Sequence, residues 1–343
     1  MLNRILIFIM AGCLGSLLAK LHIPIPFLLG GMLAAVFCKT FAAEMQISWP
    51  RRWREYGLMV GGYGIGANFD AAAWHNFLAQ LAGVAEAAAA IFAASIILAL
   101  VSSRLTGEDL PSCALGMLPG GFTLSMLMAE EDKSLNPNIV MVMQIIRLLG
   151  VVVSVPFLVI YLLDARVLSE AAALGRTGGV HWLVFVPLSV LGVFAAKKLR
   201  LPTPTLLGTI LGTAIFSVAA GGVQPVPGWL MAPAQVSIGL YMGMQLDAGR
   251  IAKAKSAVPC VVLGTMLMIA ISIGMAYVLS ARYGFSLVTA FLAMAPGGIA
   301  EMALTGMSMG EDVSIILTYQ LVRVLAINFL APPLLGMYLK RQA

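Results

Sequence analysis

The chain has 343 residues, of which 60% are hydrophobic and only 10% charged; a soluble domain carries roughly 25% charged residues, so an ordinary water-soluble fold is excluded. Its net charge of +6 is scattered in short clusters between apolar runs, as membrane-flanking anchors are, and no basic arm or stripe points to a nucleic-acid partner. Cys13, Cys38, Cys113 and Cys260 lie far apart with no CxxC, which argues against a metal knuckle or disulfide framework and reads as packing.

Six apolar segments are predicted in the first part of the chain, at about 2–19, 26–43, 54–69, 75–104, 112–130 and 138–163. The first resembles a lipoprotein signal at Ala11-Gly12-Cys13, but its apolar run continues to Leu18; a retained span is expected. LHIPIPFLLG at 21–30 predicts an interhelical turn set by Pro24 and Pro26. The third segment closes on Gly66-Ala67-Asn68-Phe69-Asp70, where glycine permits close packing and Asp70 is suited to cap a following helix. The fifth is interrupted by Leu118-Pro119-Gly120-Gly121. The sixth carries Gln144 and Arg147, the arginine about nine residues into an apolar run.

The same landmarks return after a polar linker at 166–180, so that 1–165 and 181–343 are read as two membrane repeats. LRLPTPTLLG at 199–208 matches the first turn at six of ten positions. Gly243-Met244-Gln245-Leu246-Asp247, Ala295-Pro296-Gly297-Gly298, Gln320 with Arg323, and Pro332 follow, all offset by 176–178 residues. Segments are predicted at about 181–197, 203–221, 229–246, 255–281, 285–309 and 313–338. Ordinary apolar segments match leucines by chance but do not hold register across so many polar, Gly and Pro landmarks.

Basic residues orient the halves. If all twelve segments cross, the 19 Lys and Arg outside the spans divide 11 to 8; if each Pro-Gly-Gly segment enters and leaves on one side, they divide 15 to 4. The expected fold is therefore an all-α polytopic membrane protein of two inverted repeats. Each has about five crossings plus a broken or re-entrant Pro-Gly-Gly segment, and both termini are cytoplasmic.

The doubled breaks carry the functional expectation. Proline removes a backbone donor and paired glycines reach dihedrals other residues avoid, so each motif leaves polar backbone groups that need protein, water or ligand at bilayer depth. An arginine at helix centre costs about 2.5–3.5 kcal/mol on insertion scales. Gln144 shares a helix face with Arg147, and Gln320 with Arg323, by their three-residue spacing. Two uses fit those arginines: holding an anionic group of a solute, or clamping carbonyls freed by the break. Glu301 is unmatched, since the first half has Leu124 there; it suits proton coupling or an ion pair with Arg323 or Arg147, the pair being favoured. The candidate substrate-binding set is Pro119, Gly120, Gly121, Gln144, Arg147, Pro296, Gly297, Gly298, Glu301, Gln320 and Arg323. Asn68, Asp70, Gln245 and Asp247 are secondary.

Enzyme readings find little support. His22, His75 and His181 stand near segment ends without carboxylate or cysteine clusters, and Walker A and HExxH are absent. No catalytic residue, metal or cofactor is assigned. The expected partners are the bilayer and a small polar or anionic solute, with a proton or cation as coupling ion; oligomeric state is left open.

LPGGFTLSMLMAEEDKSLNPNIVMVMQIIRLLGVVVSVP and APGGIAEMALTGMSMGEDVSIILTYQLVRVLAINFLAP resemble the duplicated domain of the bacterial AbrB membrane family, over essentially the whole chain. The resemblance implies a multi-pass protein of the bacterial inner membrane. Members carry provisional labels as regulators of gene expression or ammonia monooxygenases, and differ from the small DNA-binding regulator of the same name. The residues favour a secondary transporter or exporter, with a membrane-embedded ligand sensor as the alternative. No metal site for the oxygenase label can be assembled from them.

Overall fold

The computed structural model describes residues 2–41, 48–69, 80–132, 134–163, 180–199, 201, 203–246 and 248–342. Asp70, Asp247, Pro202 and the linker up to residue 179 lie outside the described residues. Apart from one β-bridge between Val180 and Val223, the regular structure among them is helical. In chain order the helices are α1 (Leu2–Lys20), α2 (Pro26–Phe41), α3 (Arg51–Gly66), α4 (Leu81–Thr106), α5 (Leu110–Met117), α6 (Phe122–Glu131) and α7 (Pro137–Tyr161). A 3-10 turn (Trp182–Val184) leads into α8 (Phe185–Lys198), α9 (Pro204–Ala220), α10 (Gly228–Gly243), α11 (Ala248–Lys253) and α12 (Ala257–Tyr283). The chain closes with α13 (Leu287–Met294), α14 (Ile299–Ser308) and α15 (Val313–Gln342).

Local chemistry sets these boundaries. α2, α7 and α9 begin on proline, whose missing donor is not needed in a first turn. Gly107, Gly221 and Gly284 end α4, α9 and α12 in the left-handed region, at φ 74, 71 and 72°, where a side chain would be strained. Asp109 starts α5 by accepting from Ser112 N at 2.7 Å. Replacing it with alanine is expected to lower stability by about 1 kcal/mol, read from the denaturation midpoint of the purified protein in detergent.

Among the described residues, five helical stretches are long and apolar enough to cross a membrane: Asn3–Lys20, Ala82–Thr106, Pro137–Tyr161, Ala257–Tyr283 and Val313–Tyr338. This is fewer than the ten crossings expected. α2 and α9 are apolar but have 16 and 17 residues, about 24–26 Å of helix against a hydrocarbon core of about 30 Å. Exposed side chains such as Leu191 (67%), Phe194 (69%) and Met266 (63%) would be a liability in water and suit lipid.

The chain divides into two compact units, each drawing on both halves of the sequence. One comprises Met1–Ala79, Pro156–Leu246 and Ala300–Ile315. Within it α2 packs on α1 and α10, α9 on α3 and α8, and α10 on α3. Glycine lets these backbones approach. A Cβ added at Gly239 would overlap the Leu28 carbonyl oxygen, and one at Gly243 would lie 2.6 Å from that of Met32. Added at Gly62 and Gly66, Cβ atoms would lie 3.1 Å and 2.6 Å from the carbonyl oxygens of Leu206 and Ile210. Asn68 turns inward to its own helix, its Nδ2 donating to Gly64 O at 2.8 Å. Gln245 stands in the turn after α10, its N–H donating to Met242 O at 3.1 Å.

The second unit comprises Gln80–Val155, Asp247–Ile299 and Ile316–Ala343. Here α12 packs on α4 and α13, and α5 on α4 and α6. Buried Cys113 packs among Met117, Met143 and Val261, a small apolar residue in a core. Beyond α6 the chain turns at Asp132, whose carboxyl is held below its usual range by bonds from Ser134. Asn136 N–H then donates to Ser112 Oγ at 2.8 Å. Since Ser112 lies in the first turn of α5, the end of α6 comes back to where α5 began. Leu115 of α5 packs with Met126 and Ala129 of α6, as the two arms of a fold-back must.

Candidate functional site

The first Pro-Gly-Gly motif ends one helix and starts another. Leu118 leaves α5 in extended conformation (ψ 120°), Pro119 follows, and Gly120 and Gly121 take φ of 137° and 72°, available in practice only to glycine. The carbonyls closing α5 then lose their helical amides, and only Leu118 O keeps a backbone donor, the Gly120 N–H at 3.1 Å. Side chains of α7 supply the donors instead. Gln144 Nε2 donates to Leu115 O at 2.6 Å and Leu118 O at 3.3 Å. Arg147 Nη1 donates to Leu118 O and, at 3.4 Å, to Gly116 O. The two side chains are tied by Arg147 Nη2 donating to Gln144 Oε1 at 2.7 Å.

The second motif is built alike. α13 ends at Met294, and the Ala295–Gly298 stretch separates it from α14. Gln320 Nε2 of α15 donates to Leu292 O at 2.7 Å and Ala295 O at 3.0 Å. Arg323 Nη1 donates to Ala295 O at 2.7 Å, and its Nη2 donates to Gly297 O at 2.9 Å and Gln320 Oε1 at 2.6 Å. Both guanidinium groups thus sit at the C-terminal ends of short helices, where the aligned peptide dipoles favour a cation. Bonds from a charged donor to a carbonyl are stronger than neutral ones, roughly 1.5–3 kcal/mol each.

These four side chains and both Pro-Gly-Gly motifs belong to one unit. Arg147 and Arg323 are 4% and 3% exposed. Of the two uses that sequence allowed, the Nη atoms take the carbonyl clamp. What is left is the Nε–H of each, which is buried without an acceptor among the described residues. Among the described residues of this unit no carboxylate is buried to balance the two cations.

Glu301 belongs to the other unit, in the first turn of α14, and is 7% exposed. Glu301 forms no salt bridge among the described residues of its own unit. Sequence reasoning missed Asn328. Its buried Oδ1 lacks a hydrogen-bond partner among the described residues, and a Cβ added at Gly121 would run into that oxygen. A signal existed, since Asn328 is a polar residue amid the apolar run of α15 where the first half has valine.

Apolar helices fit to cross a bilayer, with buried charges held only by backbone and amide partners, define a helical multi-pass membrane protein. The family described as "Transition state regulatory protein AbrB" matches residues 5–338, and the chain belongs to it. The uncharacterized protein YhjN of Bacillus subtilis (strain 168) is 31% identical over 303 residues, covering 82% of this chain and 78% of that one. A protein of Escherichia coli (strain K12) with the provisional name of regulator AbrB is 26% identical over 335 residues, 93% of each chain.

Proposed function

We propose that this chain is a secondary transporter or exporter of a small polar or anionic solute in a bacterial inner membrane. The observation that carries the reading is the pair of buried guanidinium groups in one unit, each with a free Nε–H and with no buried carboxylate among that unit's described residues. A protein interior does not hold two such cations without cost, and an entering anion offsets it. The broken helices supply the only kind of irregular backbone that membranes tolerate, one lining a cavity or packed in protein. Glu301 is the proposed coupling group, a carboxylate able to exchange a proton as the solute moves.

The proposed topology is of two inverted halves with both termini cytoplasmic. Support comes from the return of Asn136 to Ser112, because a segment that enters and leaves on one face gives the 15 to 4 division of basic residues. The glycine contacts are reciprocal as well: α10 of the second half meets α2 of the first, and α3 of the first meets α9 of the second.

The test is counterflow in proteoliposomes, using labelled anions chosen by metabolite profiling of a deletion strain. Transient accumulation of label against a preloaded unlabelled pool is expected. The provisional regulator name of the Escherichia coli relative favours a second reading, a ligand sensor in the membrane. Saturable binding without any flux would select that reading and remove the transporter.

A further inference from the structure

α15 serves both breaks of its unit. Its Gln320 and Arg323 hold carbonyls of the second break, and its next turn lies against the first. A Cβ added at Gly120 would lie 3.0 Å from Val324 Cγ2 and 3.8 Å from Ile327 Cδ1. Asn328 completes that turn, and a Cβ added at Gly121 would run into its Oδ1. Glycine is therefore needed at 121 for space as well as for its φ of 72°. Within this one unit the first break is faced by Arg147 from α7 and by Asn328 from α15.

Asn328 Oδ1 is buried and accepts no hydrogen bond among the described residues, although a carboxamide oxygen has two lone pairs to offer. The side chain brings this oxygen to Gly121, the N-cap of α6, where the electropositive end of a helix favours an oxygen over an amide nitrogen. Packing does not call for an amide here. The matching position of the first half is Val152, which is fully buried. An unpaired buried acceptor lowers stability where a valine would not, so the amide is explained by a donor that arrives from outside the chain. Arg147 supplies the complement, a buried Nε–H without an acceptor among the described residues. An unpaired donor on a cation and an unpaired acceptor on an amide match a ligand that carries negative charge and a donor of its own.

We propose that the solute of this site bears a hydrogen-bond donor, a hydroxyl or an amine, beside its anionic group, and that Asn328 selects for it. The inference rests on the transport reading and narrows it to hydroxy- or amino-substituted anions. Because Oδ1 is already buried, a donor reaches it without first displacing bulk water. The gain over an analogue lacking the donor is about 10- to 100-fold in affinity.

The experiment compares anions that differ in their donors: lactate and alanine with propionate, malate with succinate, and glycerol 3-phosphate with propyl phosphate. Affinities are read from thermal melting of the full chain in nanodiscs, and exchange from counterflow in proteoliposomes. In wild type the donor-bearing member of at least one set is expected to bind about 10- to 100-fold more tightly. N328V should lose that preference, yet melt no lower than wild type without solute, because it removes an unpaired acceptor. An asparagine with a purely structural role would do the reverse, lowering the melting point and leaving the preference intact. If N328V does not give a monodisperse peak, N328A decides by the same ratio. Equal binding within every set by wild type, or a preference unchanged in the variant, overturns the proposal and leaves the transport reading standing. Wild type that neither melts higher with any of these anions nor exchanges them overturns both.

Discussion

Replacing Arg323 with alanine is expected to destabilise the protein by about 2–5 kcal/mol, and Arg147→Ala by a similar amount. The figure follows from what each guanidinium holds. Arg323 donates to Ala295 O, Gly297 O and Gln320 Oε1. Ala295 O keeps its bond from Gln320, but Gly297 O and the Gln320 carbonyl lose theirs in a buried setting. A buried acceptor left unsatisfied costs about 1–3 kcal/mol. Arg323→Lys should recover only part of the loss, since one ammonium cannot span acceptors that a planar fork reaches together. A double-mutant cycle of Gln320→Ala with Arg323→Ala should give a coupling of about 0.5–3 kcal/mol. Unchanged denaturation midpoints in both alanine variants would remove the clamp. Uptake unaltered in folded Arg147→Lys and Arg323→Lys proteins would remove the arginines from transport while leaving the clamp intact.

Gly239→Ala should rank beside these, at a loss of about 3 kcal/mol, because overpacking against backbone on both sides has no inexpensive relief. The added methyl would overlap Leu28 O and lie 3.0 Å from Met32 N, and neither atom can swing aside as a side-chain end can. α10 must then retreat from α2 along the crossing that Gly243 continues. Gly274→Ala is the internal control: a Cβ there meets nothing within 4 Å, so the change should be neutral or stabilising by up to about 1 kcal/mol. Size-exclusion profiles and melting of the two variants side by side check this. Indistinguishable behaviour would mean that α2 and α10 are not held at glycine distance.

Much of the local structure was legible in the sequence. The Pro-Gly-Gly breaks were readable because a missing donor and paired glycines leave a helix few ways to continue. The Gln-x-x-Arg spacing likewise placed amide and guanidinium on one helix face, where the folded chain bonds them. Other features were hidden for definite reasons. Spacing gives the face a guanidinium occupies but not its acceptors, so carbonyl clamp and solute ligand looked alike until Leu118 O and Ala295 O were in view. The five long spans stand out by length, whereas α2, α3, α9 and α10, at 16 or 17 residues, depend on glycine crossings that only the folded chain reveals. The units mix pieces of both halves, a long-range choice with no local marker.

Gly121 and Gly298 each open a new helix, and a helix opens with its electropositive pole. At α14 that pole is offset by the carboxylate of Glu301 in the opening turn; at α6 the corresponding residue is Leu124 and the pole stands uncompensated. Two breaks alike in outline are therefore unlike in polarity.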